Sequence, residues 1–246
     1  MELIFFLGAI IFIAYVLICC ILNFLDNTAI SNGILAYTDQ DEELIKSVTD
    51  VNRGTNAEKN LIAALLKLGI HPKAIFHDLY IPRSNGKFSQ IDLVVATKVG
   101  ILVFEVKDYS GWIYGNGSRL KWTQVLAYGR EKYKFYNPVL QNNSHIKCLR
   151  QQLKEKVPFY SIIVFYGDCQ LKDIDFIPKG TYITKWYRVL DVVNKIINEN
   201  PPANYKDKIH IIKTLKSAVE RGNKIDVSDR HLEGIKDMLG TDRIFQ

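Results

Sequence analysis

The most one-sided stretch of the chain comes first. From Leu3 to Leu25 no residue is charged, and only Tyr15, Asn23 and the small Gly8, Ala9 and Ala14 interrupt Leu, Ile, Phe, Val and Cys. At about 1.5 Å of rise per residue, a helix of that length crosses a hydrocarbon core of roughly 30 Å. The pattern predicts a transmembrane anchor over residues 3–25. A cleaved signal peptide would want Lys or Arg before a shorter apolar core and a small-x-small site after it. Here Glu2 is the charged residue ahead of the run, and no Ala-x-Ala follows. Lys46, Arg53 and Lys59 come after it, so the positive-inside rule orients the long C-terminal part towards the cytoplasm. The expectation is a single-pass membrane protein with residues 1–25 as anchor and 26–51 as spacer.

Beyond the spacer the period changes. Thr55-Asn56-Ala57-Glu58 fits a capping box, Leu61, Ile62, Leu65, Leu66 and Leu68 form an apolar stripe, and Gly69 ends the pattern, which predicts a helix. Ala74–Ile81 reads as a strand. Gln90–Ala96 and Ile101–Lys107 are apolar, β-branched runs around Thr97-Lys98-Val99-Gly100 and predict a hairpin. Short aromatic strands are expected near Trp112–Tyr114 and Leu120–Trp122. Asn137-Pro138 opens a helix reaching about Lys156, Tyr160–Tyr166 is a buried strand, and Thr181–Thr184 a further candidate strand. Helices follow near Val189–Asn198, Lys206–Glu220 and Asp229–Leu239. The order predicts a mixed α/β fold around one central sheet over residues 52–200, with a helical extension at 201–246.

Composition adds little to this. The chain is 48% hydrophobic and 24% charged, with net charge +6, which permits a polyanionic partner without requiring one. Cys19 and Cys20 lie in the apolar run, while Cys148 and Cys169 stand alone. That spacing excludes a disulfide framework and a zinc ribbon. The charge is uneven, however. Residues 107–156 hold ten basic side chains against Asp108, Glu131 and Glu155, interleaved with Tyr109, Trp112, Tyr114, Trp122, Tyr128, Tyr133, Phe135 and Tyr136. Such a segment supplies phosphate contacts and stacking surfaces, or else a solvated face over an aromatic core.

The hairpin carries the chemistry. With its turn centred on Lys98-Val99, residues whose numbers sum to 197 face each other, and Asp92 and Glu105 satisfy that sum. Alternation then puts Lys107 on the same face as Glu105. Two opposed carboxylates in apolar strands are costly to bury. Either a divalent cation held by the carboxylates resolves the conflict, with Lys107 stabilising phosphate charge or positioning water, or Lys107 neutralises both acids in a structural cluster. Spacing alone does not choose. Glu58 shares a helix face with Leu61, Ile62 and Leu65, so it leans towards the sheet, and it is also the capping-box partner of Thr55. Gln141 sits in the first turn of the helix opened by Pro138, where anions are favoured, or is an ordinary exposed residue. His145, one turn on, reads as a satisfied imidazole.

Gly54-Thr55-x-Ala57-Glu58, Gln90-Ile91-Asp92, Phe104-Glu105-Val106-Lys107-Asp108-Tyr109-Ser110-Gly111 and Asn137-Pro138-x-x-Gln141 with His145 resemble, in that order, the nuclease-related domain (NERD) family. That family belongs to the PD-(D/E)XK, restriction-endonuclease-like group, and the likeness covers roughly residues 52–165. It implies an α-β-β-β-α-β core and a Mg²⁺-dependent nuclease site, with Mn²⁺ as a substitute. Position by position, it makes Asp92 and Glu105 metal ligands, with Val106 beside them, and Lys107 the catalytic lysine. Glu58 becomes the helix-borne acid and Gln141 the polar residue near the phosphate. Ile91 stands where the group's proline would be. The function expected is hydrolysis of DNA phosphodiesters at a membrane, although nothing in the residues distinguishes the sugar. The alternative is a non-catalytic, membrane-tethered nucleic-acid-binding or scaffolding module of the same fold.

Overall fold

The computed structural model describes residues 39–83 and 86–224. The expected anchor at 3–25 and the expected helix at Asp229–Leu239 lie outside the described residues. Among the described residues, no helix is long and apolar enough to cross a membrane.

A short helix α1 (Asp39–Lys46) leads to α2 (Asn56–Lys67). Thr55 caps α2 in extended conformation, accepting from the Glu58 N–H while its hydroxyl donates to Glu58 Oε1 at 2.8 Å. Thr55 thus supplies its half of the expected capping box, and its hydroxyl fixes one oxygen of Glu58. Leu61, Ile62 and Leu65 are fully buried, each such side chain stabilising by about 1.5–3 kcal/mol.

Strands β1 (Ile75–Pro82), β2 (Phe88–Thr97) and β3 (Gly100–Asp108) form an antiparallel meander. After β3 the chain makes a second sheet from β4 (Gly111–Asn116), β5 (Lys121–Leu126) and β6 (Glu131–Tyr136). It then enters α3 (Pro138–Leu153) and returns to the first sheet as β7 (Phe159–Tyr166), parallel to β3. β8 (Cys169–Asp175) joins the second sheet and β9 (Thr181–Lys185) ends the first. Helices α4 (Val189–Glu199) and α5 (Lys208–Lys224) follow.

The first sheet runs β1-β2-β3-β7-β9 and the second β6-β5-β4-β8. The central mixed sheet is thus as expected, but the short aromatic strands expected near Trp112–Tyr114 and Leu120–Trp122 belong, with β6 and β8, to a second four-stranded sheet. Its unforeseen strands β6 and β8 do alternate, as Tyr133 and Phe135 against Lys132 and Lys134, and as Cys169 and Leu171 against Gln170 and Lys172. The Lys and Asp content of those runs hides the period.

Three apolar clusters hold the layers. Leu93, Val95, Leu102 and Phe104 pack under α2 and α4. On the other face Val94, Ile101 and Val103 meet Ile146 and Leu149 of α3 and Ile211, Leu215 and Ala218 of α5. A third cluster, including Trp122, Phe135, Ile163 and Phe165, joins the second sheet to the end of the first. The C-terminal helix α5 is therefore part of the same packing as the strands it covers.

The candidate active site

The site lies where the meander opens. The β2–β3 register runs from Thr97↔Gly100 to Leu93↔Phe104, every pair summing to 197 as expected. It stops one rung short of Asp92 and Glu105. Instead of facing Glu105 through a backbone rung, Asp92 accepts the Val106 N–H on Oδ2 at 2.7 Å. The side chain replaces a backbone acceptor, so the strands part without leaving a buried N–H unsatisfied.

The cause is visible in β1. The β1–β2 register steps from His77↔Leu93 to Leu79↔Ile91 and skips Asp78↔Asp92. Asp78 is in left-handed conformation, φ 53°. Residues two apart on a strand normally share a face, yet Leu93 packs under α2 and Ile91 packs with α5. Both strands turn over at these aspartates. The left-handed Asp78 costs on the order of 1–2 kcal/mol. Its carboxylate offsets this by accepting from Arg53 Nε at 2.7 Å and Gln90 Nε2 at 2.8 Å, and Arg53 also donates to the Asp78 carbonyl at 2.7 Å.

Around the opening the titratable groups are unequal. Burial pushes Asp92 well above the usual carboxylate range, Glu105 and Glu58 push it further, and Lys107 and the Val106 N–H only partly oppose them. Glu105 is also driven up by burial. There the Lys107 ammonium and the His145 imidazole more than offset it, and the net shift is downward. Lys107 Nζ lies 2.8 Å from Glu105 Oε1, so the two share a face as alternation requires. Glu105 is 1% exposed and Lys107 8%.

Glu58 leans inwards as expected. Its Oε2 lies 2.8 Å from Nε2 of the buried His77, whose Nδ1 meets Thr49 Oγ1 at 2.9 Å. Gly54, at φ +74°, permits this approach: a Cβ there would lie 2.5 Å from His77 Cε1 and 2.6 Å from Glu58 Oε2.

Helix α3 is registered on the site by two buried asparagines. Asn137 caps it through the Val139 N–H and donates to the carbonyls of Asn116 at the end of β4 and of Gly117 and Arg119 in the β4–β5 turn. Asn142 donates to the Val103 carbonyl and to Ser161 Oγ, both at 2.9 Å. Gln141 is half-buried in the first turn of α3. One turn on, His145 is 4% exposed, with Nε2 3.3 Å from Glu105 Oε2 and Nδ1 2.7 Å from Ser89 Oγ. Arg83 Nη2 donates to that Ser89 oxygen at 3.0 Å. The Ser89 hydrogen is then available to Nδ1, which puts the proton of a neutral imidazole on Nε2, facing Glu105. Neither Nε2 nor Glu105 Oε2 has an aligned hydrogen-bond partner among the described residues.

The satisfied imidazole expected of His145 is thus satisfied at Nδ1 alone, and its other nitrogen belongs to the site. His77, Asp78 and Arg53 were not foreseen. The signal for the first two was a polar pair, His77-Asp78, inside the apolar run Ile75–Ile81.

Among the described residues, no group of three or more His, Cys, Asp or Glu side chains is arranged to hold a metal ion. The groups at the opening are two carboxylates, Asp92 and Glu105, next to the Val106 backbone. Such hard oxygens suit Mg²⁺ or Mn²⁺ completed by water, and lack the nitrogen and sulfur that zinc favours. A cation there would offset the charge that burial opposes on Asp92 and engage the orphaned Glu105 oxygen.

An uncharacterized protein of Bacillus anthracis is 32% identical over 131 residues, a match spanning 53% of this chain and 61% of that relative's length. No solved structure matches the chain. Residues 53–166 match the family model of the nuclease-related domain, a segment that contains the α2 acid, the parted strands and the whole of β7. The chain carries, over residues 53–166, a domain of the nuclease-related NERD family.

Proposed function

We propose that the chain is a metal-dependent nuclease of the PD-(D/E)XK type, hydrolysing DNA phosphodiester bonds, tethered to a membrane by residues 3–25 with its folded part in the cytoplasm. The observation that carries the catalytic reading is the pairing of Lys107 with Glu105 on one face of β3, beside the buried, charge-crowded Asp92.

In this reading Asp92, Glu105 and the Val106 backbone carbonyl hold Mg²⁺ or Mn²⁺, and the metal supplies Lewis-acid polarisation of the phosphate. Lys107 orients the attacking water or meets developing phosphate charge. Glu58, fixed by Thr55 and His77, adds to the negative charge around Asp92 that a bound cation would offset. Gln141, near the N-terminal end of α3, adds a polar contact on the side where the helix dipole favours a phosphate.

The test is cleavage of single- and double-stranded DNA by the full chain in detergent with Mg²⁺, Mn²⁺ or EDTA. Cleavage with metal, lost in EDTA and reduced about 10²–10³-fold in Lys107→Ala, is expected if the lysine acts on charge in the transition state. Equal cleavage by Lys107→Ala would sink the catalytic assignment.

The absence of a gathered three-ligand cluster among the described residues favours a second reading, a binding or scaffolding module of the same fold. It predicts salt-dependent DNA binding indifferent to metal and to Asp92→Asn, with no cleavage.

A further inference from the structure

The outer face of the second sheet is built unlike its inner face. Ile113, Trp122 and Phe135 point inwards and are buried. The register puts the alternate residues in rows on the other side. One row is Lys132–Val125–Trp112–Gln170 and the next Lys134–Thr123–Tyr114–Lys172, while Lys121–Tyr136 extends the face at its far end. Lys121, Lys132, Lys134 and Lys172 are exposed, Trp112 and Tyr114 are half-exposed, and Tyr136 is 40% exposed. Of the acids on these strands, Glu131 lies in register with the inner-face residues, Asp173 follows Lys172, and Asp175 stands opposite Asn116 at the far end of the outer face, beyond the two rows.

The β5–β6 connection adds a fourth aromatic. Tyr128 is 98% exposed and held at φ 54°, ψ 39° between a left-handed Ala127 and Gly129. Gly129 lies against Trp112, since a Cβ there would be 3.9 Å from Trp112 Cζ3. Tyr128 therefore stands at the end of the row of rings and contributes almost no burial to the fold.

We infer that this face is a platform for single-stranded nucleic acid, on which bases stack against Trp112, Tyr114 and Tyr128 while Lys132, Lys134 and Lys172 meet the phosphates. The inference rests on the nucleic-acid reading above and gives it a strand preference. Aromatic rings need an exposed base face, which a duplex covers with neighbouring pairs and a single strand offers freely. Four-stranded sheets displaying rings are a recurring way to hold splayed bases. The basic rows match a polyanion, and the rings between them match its bases. β4 begins four residues after Lys107, at most roughly 14 Å of chain, so a strand on the platform lies close to the opening in the first sheet.

The test is equilibrium binding of a labelled oligothymidylate and of a duplex of equal length to the full chain in detergent and EDTA, where nothing is cleaved. We expect the single strand to bind at least tenfold more tightly. Trp112→Ala/Tyr114→Ala should weaken it about tenfold per ring and Trp112→Phe/Tyr114→Phe should restore it. Lys132→Glu/Lys134→Glu should lower the salt slope by about 0.7 per lost contact. Equal affinity for the duplex overturns the inference. So does unchanged single-strand binding by a folded Ala variant, or lysine dependence without ring dependence. Because the assay needs no metal, absence of cleavage elsewhere would sink the nuclease reading and leave this result standing.

Discussion

Asp78 and Asp92 stand opposite each other on neighbouring strands, at a rung that the β1–β2 ladder skips. Their environments give them different roles. Asp78 is saturated by Arg53 and Gln90 and holds the kink in β1. Asp92 spends one oxygen on the Val106 N–H and otherwise meets burial and two further acids. The kink that one aspartate stabilises is what turns the other towards β3, so the strain at Asp78 serves the opening at Asp92.

The protonation of Asp92 predicts a pH-dependent stability. Its folded pKa is raised above its ordinary 3.8, so it favours the folded state most at low pH. That contribution is lost as pH rises from the ordinary value through the folded one. In EDTA, the melting temperature of the wild type relative to Asp92→Asn is expected to fall as pH rises above 3.8 and on through the raised folded value. Mg²⁺ should reverse the fall for the wild type alone. A pH-independent difference between the two proteins would contradict it. Glu105 has the opposite sign, being lowered, but it is present in both, and the difference reads the Asp92–Glu105 interaction.

His145→Gln removes the imidazole that helps hold Glu105 ionised. If cleavage needs the Glu105 carboxylate, the acid limb of its pH–rate profile moves to higher pH in the variant, with the high-pH plateau less affected. An unmoved acid limb would show that the contact between Nε2 and Glu105 has no bearing on catalysis.

Arg53→Met leaves Asp78 buried without its guanidinium and also removes the donor to the Val219 carbonyl of α5. Breaking a buried pair from one side costs about 3–5 kcal/mol, measurable by urea denaturation. A loss below about 1 kcal/mol would mean that the pair behaves like a surface ion pair.

Gly54→Ala tests the fit around Glu58. The left-handed backbone alone costs an L residue roughly 1–2 kcal/mol, and the new methyl would press on His77 and Glu58 Oε2. A lower melting temperature is expected, together with a smaller pH dependence of the kind described for Asp92, because Glu58 is one of the acids that raise it. A variant as stable as the wild type would show that the loop before α2 yields easily.

Much of this was legible in the chain. Period-two apolar runs and the turn at Lys98-Val99 determined the hairpin and its register, and Thr55 with Glu58 determined the start of α2, because those rules act between residues near in sequence. The same alternation put Glu105 and Lys107 on one side. Only the tertiary structure decided that the ladder ends before Asp92, because the kink depends on Arg53 reaching Asp78 and on α5 closing over β1. It also decided that His145 faces Glu105 and that β8 completes a second sheet beside β4. Each of these joins residues far apart along the chain through buried polar contacts or a long crossover, and no local period records such contacts.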